Sequence, residues 1–187
     1  MNTSGGQVVS DVTIDAMVPD WSRERPRRFW DPSRKLLKAI RDYQCASSKL
    51  PLLRQWARYS AVLRHRFWSV VCGCDIPLNC SLGGGLKLTH PNGVVIHPEA
   101  EVGVNCLLLQ QVTLVKGVRL AGHVDIGAGA KLVRPVRVGA HAQIGANAVV
   151  LEDVPAGATV IGVPARNVKV AVEAGSDGWL TPVVEDR

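Results

Sequence analysis

From Ile96 to Val154 the sequence repeats with a period of six residues. The first positions are Ile96, Val102, Leu108, Leu114, Leu120, Ile126, Leu132, Val138, Ile144 and Val150, always a branched aliphatic. The fifth positions are Ala100, Cys106, Val112, Val118, Val124, Ala130, Val136, Ala142, Ala148 and Val154, always apolar and of small or modest size. Glycine fills the second position at Gly103, Gly127, Gly139 and Gly145. An α-helix returns a side chain to the same face about every 3.6 residues and a strand every two, so neither alone explains a period of six. That period marks a β-helix, in which each hexad is one short strand and one turn and three hexads close a triangular coil. The large aliphatic points inward, the smaller residue sits near the corner, and glycine tolerates the turn dihedrals. The pattern runs back through Ile76, Leu82 and Leu88. Two residues too many separate Leu88 from Ile96, so the segment around His90-Pro91-Asn92-Gly93 is expected to bulge outward.

Upstream of the repeat the period changes. Residues 31–72 read as helical, with Asp31 as an N-cap and Pro32 at the first helical position. Leu36, Leu37, Ile40 and Tyr43 recur at helical spacing. Pro51 opens a second helix whose apolar stripe is Leu52, Leu53, Trp56, Leu63, Phe67 and Val71, expected in the core or at a subunit contact, with Gly73 as its stop. Residues 1–30 read as a flexible lead-in. The expected organisation is therefore 1–73 lead-in and helical region, 74–168 β-helix of about five coils, and 169–187 a C-terminal tail.

The 187 residues carry a formal charge of +6, and 47% are apolar, ample for one core. The positive charge is concentrated in 21–66, from Arg23 and Arg25 to Arg64 and Arg66. No nucleic-acid motif accompanies it, so a solvated basic helical face is expected rather than a nucleic-acid site. No stretch is long and apolar enough to span a membrane, and Met1 to Asp20 lacks the form of a secretory signal, so the expected setting is cytoplasmic. The cysteines, Cys45, Cys72, Cys74, Cys80 and Cys106, form no paired metal-binding motif and read as reduced thiols.

Residues 74–168 resemble the catalytic domain of bacterial serine acetyltransferases. The resemblance is carried by Asp75-Ile76-Pro77, by Leu88-Thr89-His90-Pro91-Asn92-Gly93-Val94-Val95-Ile96, and by Gln110-Gln111-Val112-Thr113-Leu114. It continues through Val124-Asp125-Ile126-Gly127-Ala128-Gly129-Ala130-Lys131, Ile144-Gly145-Ala146-Asn147-Ala148 and Gly162-Val163-Pro164-Ala165-Arg166. It implies a mainly β fold, a left-handed parallel β-helix with a short N-terminal α-helical region. It also implies acetyl transfer from acetyl-CoA to the hydroxyl of L-serine, the step that feeds cysteine biosynthesis.

By the same resemblance His90 is the catalytic general base and Asp75 its partner. Both are expected on one face of successive coils. The chemistry suits these types: a hydroxyl is a poor nucleophile until its proton is removed, which neutral imidazole can do near pH 7. A carboxylate on the other ring nitrogen fixes the tautomer and stabilises the imidazolium, and backbone amides can hold the oxyanion. Acetyl-CoA is expected in a groove between neighbouring β-helices of a homotrimer, which in turn can pair into a dimer of trimers. Ala128 and Ala146, one coil apart, are expected to face the cofactor, and Arg166 to meet its phosphates.

The chain departs from the family pattern in places. Thr89 stands where an aspartate usually precedes the catalytic histidine. The substrate loop with an Arg-His pair is missing, because Leu114-Val115-Lys116-Gly117-Val118-Arg119-Leu120 runs straight through. Lys116 and Arg119 are the candidates to hold the acceptor in its place. The closing Val184-Glu185-Asp186-Arg187 lacks the terminal isoleucine through which the family docks onto the sulfhydrylase of the next step, so that docking is not expected. Three alternatives follow: a sugar or other metabolite hydroxyl as acceptor, a metal-dependent β-helix enzyme using the stacked His123 and His141, and a non-catalytic scaffold.

Overall fold

The computed structural model of the protein describes residues 15–46, 51–168, 170–174 and 180–184. The start of the expected lead-in and the closing Glu185-Asp186-Arg187 lie outside the described residues, as does the side chain of Leu52.

The hexads build the expected coil. Strands of two residues follow one another: β1 (Ser81–Leu82), β2 (Lys87–Leu88), β3 (Val95–Ile96), β4 (Glu101–Val102), β5 (Leu107–Leu108), β6 (Thr113–Leu114), β7 (Arg119–Leu120), β8 (Asp125–Ile126), β9 (Lys131–Leu132), β10 (Arg137–Val138), β11 (Gln143–Ile144) and β12 (Val149–Val150). In each, the first residue faces outward and the second, the first position of a hexad, is buried. Every fifth position is buried as well, so two of each six residues supply the core. Parallel pairing stacks the strands into three faces: β1-β4-β7-β10, β2-β5-β8-β11 extended by β13 (Thr159–Ile161), and β3-β6-β9-β12. The result is a parallel β-helix of four complete coils and a partial fifth, close to the expected number.

The register shows where the coil length changes. Val95 pairs with Thr113 and Thr113 with Lys131, each one regular coil of three hexads apart. In the first coil the offset is two residues longer, with Ser81 opposite Glu101 and Asp75 opposite Val95, which is the bulge at His90. In the last coil it is two residues shorter, with Gln143 opposite Thr159 and Val154 opposite Val138. The hexad count did not foresee this contraction. It is held by the Asp153 carboxylate, which accepts the Arg137 N–H at 2.8 Å.

The glycines act differently from the sequence expectation. The second-position glycines have ordinary negative φ; a Cβ on Gly103, Gly127 or Gly139 would instead collide with the backbone of the next coil. The left-handed dihedrals fall at the fourth position of the hexad: Asn105, Gln111, Gly117, His123, Gly129, His141 and Asn147 all have φ between 54° and 78°. Asparagine and glycine suit that conformation because the strain on an ordinary side chain is relieved there.

Two helices close the lower end. The first, α1 (Pro32–Cys45), buries Leu36, Leu37, Ala39 and Ile40, of which Leu36, Leu37 and Ile40 join one continuous core with Cys72, Ile76, Leu82 and Leu86. Asp31 sits at the N-cap position, but its side chain does not cap the helix; it accepts from the Arg27 N–H at 3.0 Å and from Arg34 Nη1 at 3.1 Å. The second helix, α2 (Pro51–Cys72), packs on α1 through Ala61 and through the Arg64–Asp42 ion pair, 2.7 Å. Its apolar stripe does not enter this core: Trp56 is 77% exposed, Leu63 69% and Leu53 61%.

Residues 15–30 were expected to be loose, yet they are tied to the coil. Asn105, 1% exposed, accepts from the Asp20 N–H at 2.7 Å and donates to the carbonyls of Asp15 at 2.6 Å and Val18 at 2.7 Å. Arg23 donates to the Asn105 carbonyl. Glu24 is buried, bridges to Arg41 through both oxygens at 2.8 and 3.0 Å, and accepts the Leu86 N–H. Arg41 also donates to the carbonyls of Leu82 and Gly83, so one guanidinium joins α1, this segment and the first coil. Part of the basic set is thus structural rather than a purely solvated face. After β13 the chain turns back through β14 (Arg166–Val168), antiparallel to it, and the expected tail contains a further antiparallel pair, β15 (Val170–Ala174) and β16 (Leu180–Val184).

Candidate active site

His90 lies in the bulge between β2 and β3, at one edge of the triangular coil. The bulge is held between neighbouring coils: the Gly93 N–H donates to the Gly73 carbonyl at 2.7 Å, and the Gln111 N–H to the Asn92 carbonyl at 2.9 Å. A Cβ on Gly73 would come within 2.8 Å of Asn92 Nδ2, so a glycine at the helix stop lets the bulge settle onto it. His90 itself is exposed and lines a groove of about 570 Å³ with Thr89, Asn92, Cys72, Trp30 and the arginines Arg27, Arg28 and Arg34.

Asp75 enters from below. Its N–H donates to the Val94 carbonyl and its carbonyl accepts from Ile96, both at 2.9 Å, so it sits one coil beneath the strand into which the His90 bulge leads. The backbone thus brings Asp75 and His90 to the same end of the same edge. Their side chains make no hydrogen bond in this structure.

The same edge continues upward as a ladder. Gly129 donates to the Gln110 carbonyl and Asn147 to the Ala128 carbonyl, each at 2.8 Å. Asn92, Gln110, Ala128 and Ala146 therefore occupy equivalent corners of successive coils, with rungs about 4.8 Å apart. Ala146 is exposed and Ala128 partly so, leaving a ledge of small residues that runs away from His90. Arg166 follows at the upper end: Val149 and Ala165 are hydrogen-bonded there at 2.8 Å, and the guanidinium reaches Glu152 at 3.9 Å. The expected site residues His90, Asp75, Ala128, Ala146 and Arg166 are thus distributed along the same edge.

Lys116 and Arg119 do not. Lys116 belongs to the corner after β6 and Arg119 to β7, on another edge and another face from His90. Each already has a carboxylate partner, Glu99 at 3.0 Å and Glu101 at 3.4 Å. The chain runs through this stretch with regular register and no loop.

The thiols at the site differ. The hydrogen bond from Cys74 holds the Cys72 thiol below its ordinary range, while the same bond and burial push Cys74 up. Burial, with the Asp75 charge behind it, raises Cys80 to about 11. On the third edge His123 and His141 stack as expected, their Nδ1 atoms 2.8 Å apart. Among the described residues no third metal-binding side chain joins them.

Sequence reasoning missed two features. Arg27 and Arg28 were visible only as part of a basic run, and nothing local placed them in one groove with His90. Asn105 was visible as a polar residue at a fourth position, and that position's preference for left-handed dihedrals was the available signal.

A parallel β-helix with a histidine on an outward bulge and a ledge of small corners above it defines a hexapeptide-repeat acyltransferase scaffold, and the comparisons narrow the class. No family model matches the sequence. A serine acetyltransferase of Synechococcus elongatus is 42% identical over 105 residues, 52% of this chain and 43% of that protein. A serine acetyltransferase solved in complex with CoA superposes with a TM-score of 0.62 at 32% identity, covering 74% of this chain and 57% of the other. The soybean serine acetyltransferase apoenzyme superposes with a TM-score of 0.54 at 30% identity, covering 74% of this chain and 70% of the other. The chain belongs to the serine acetyltransferase family. It spans about half the length of the curated relatives it matches.

Proposed function

We propose that the protein transfers acetyl from acetyl-CoA to the hydroxyl of L-serine, with His90 as general base and Asp75 as its orienting partner. The observation that carries this reading is the open edge that His90, Asp75 and the Ala128–Ala146 ledge share. His90 accepts the hydroxyl proton as the oxygen attacks the thioester carbonyl, the C–S bond breaks, and the proton passes to the departing thiolate. Asp75 favours the imidazolium formed on the way. Acetyl-CoA runs along Ala128 and Ala146, with Arg166 toward its phosphates. The solved complexes of relatives with CoA and of the soybean enzyme with serine support this choice of substrates.

The working assembly in this reading is a homotrimer, able to pair into a dimer of trimers, with the cofactor groove between neighbouring coils; the exposed face of α2 supports a partner there. The thiols of Cys72, Cys74, Cys80 and Cys106, which form no disulfide, support a reducing, cytoplasmic setting. Among the described residues no helix is long and apolar enough to cross a membrane.

The test is a thiol-release assay with acetyl-CoA and a panel of hydroxyl acceptors. L-serine should give the largest kcat/KM, and a trimer or larger should appear in sedimentation at micromolar protein. The straight run from Leu114 to Leu120 favours one second reading, a sugar or other metabolite hydroxyl as acceptor. A larger kcat/KM for such a compound would select it.

A further inference from the structure

We propose that Arg27 and Arg28 hold the carboxylate of the acceptor above His90, so that the N-terminal segment completes the acceptor site. The inference rests on the reading of His90 as the base of an acetyl transfer. The groove around His90 is lined by three arginines and one carboxylate, Asp31. That carboxylate is already occupied by Arg34 at 3.1 Å and the Arg27 N–H at 3.0 Å, and Arg34 also donates to the Arg23 carbonyl at 2.9 Å. The Arg34–Asp31 pair is neutral. Among the described residues the guanidinium groups of Arg27 and Arg28 make no hydrogen bond or ion pair. Two arginines without a carboxylate partner therefore line the groove in which the reacting hydroxyl must sit.

Guanidinium groups suit a carboxylate because their parallel N–H bonds match its two oxygens. The segment that carries them is anchored on both sides: Glu24 bridges to Arg41 and the first coil, and Asp31 opens α1. It presents the arginines from a fixed position. A small hydroxy acid or hydroxyamino acid fits this arrangement, its hydroxyl toward His90 and its carboxylate toward the arginines. A neutral sugar leaves both cations unused. Lys116 and Arg119 are on another face and already paired, so the positive charge the acceptor needs comes from outside the repeat.

The experiment is steady-state kinetics on Arg27→Gln, Arg28→Gln and the double variant, with L-serine and its neutral amide as acceptors. Both arginines are exposed, so the thermal midpoint should not move. The double variant should raise KM for L-serine about 10- to 100-fold. KM for acetyl-CoA, and both constants for the amide, should stay within about twofold, a change of only a few tenths of a kcal/mol. The double lysine variant should recover part of the loss. An unchanged KM for L-serine, or an equal loss with the amide, overturns the proposal. Wild-type preference for a neutral sugar overturns it too, yet leaves acetyl transfer standing. Absence of turnover with every hydroxyl acceptor overturns the acetyl-transfer reading itself.

Discussion

Two edges of the triangular coil share one backbone and serve opposite ends. On one edge the fourth positions are Asn105, His123 and His141; on another they are Gln111, Gly129 and Asn147, and nearly the same left-handed turn serves both, with φ from 54° to 73°. The first edge is covered at its base. Residues 15–23 lie across it, Asn105 is buried beneath them, and a side chain at Gly122 would collide with the Ala16 carbonyl. The second edge stays open, with His90 at its lower end and Ala146 exposed above. The hexad makes edges that are interchangeable as scaffolding. What distinguishes them is the chain laid on top, and the segment that closes one edge goes on to furnish the arginines beside the other.

The largest expected effect is on the open edge. His90→Ala should lower kcat about 10²–10⁴-fold, with CoA affinity unchanged by calorimetry, because the ledge does not depend on the imidazole. Asp75→Asn should cost less, and the double variant should fall no further than His90→Ala, since both residues serve one proton transfer. Near-wild-type turnover in His90→Ala would rule the mechanism out.

The next contrast sets equivalent asparagines of the two edges against each other. Asn105→Ala strands the Asp20 N–H and two carbonyls and should destabilise the fold by about 2–4 kcal/mol. Asn147→Ala, also left-handed but exposed, should cost about 1 kcal/mol. Urea midpoints for the pair measure the difference, and equal losses would mean that the covering segment contributes nothing to stability.

On the ledge, Ala146→Trp should weaken CoA binding at least about tenfold, or 1.4 kcal/mol. Its urea midpoint should barely change, because surface substitutions of this kind stay within about 0.5 kcal/mol. Unchanged affinity would move the cofactor off this edge.

The smallest effect concerns the segment's second anchor. Burial raises the Asp31 carboxyl, but the Arg27 N–H and Arg34 outweigh it, leaving the folded pKa below 3.8. A depressed folded pKa contributes stability that is fully present above the unfolded value and lost as pH falls through the folded one. Asp31→Asn should therefore flatten the acid limb of the stability curve below about pH 4 and leave the neutral region less affected. An unchanged acid limb would show the anchor to be inert.

How much of this was legible in the sequence follows from how local each feature is. A hexad fixes its own strand, its own inward pair and its own turn, so the core from Ile96 to Val154, the bulge at His90 and the stacking of Ala128 on Ala146 were readable in advance. The glycine roles were read one step wrongly, because local dihedral preference points to the turn while contact with the coil above forbids a Cβ at Gly103. The apolar stripe of α2 was read by period, yet a period names a face and not the surface it meets, and that face turned outward. The bonds of Asn105 to Asp15 and Val18, of Arg41 to Leu82, and the gathering of Arg27, Arg28 and His90 around one groove were not readable. They join segments far apart in the chain, and only the closed coil brings them within hydrogen-bonding reach. The six-residue period by itself determined the scaffold, because each repeat buries its own aliphatic pair. Tertiary structure alone decided which edge is covered and which is left open for chemistry, because that choice depends on where one non-repeating segment comes to rest.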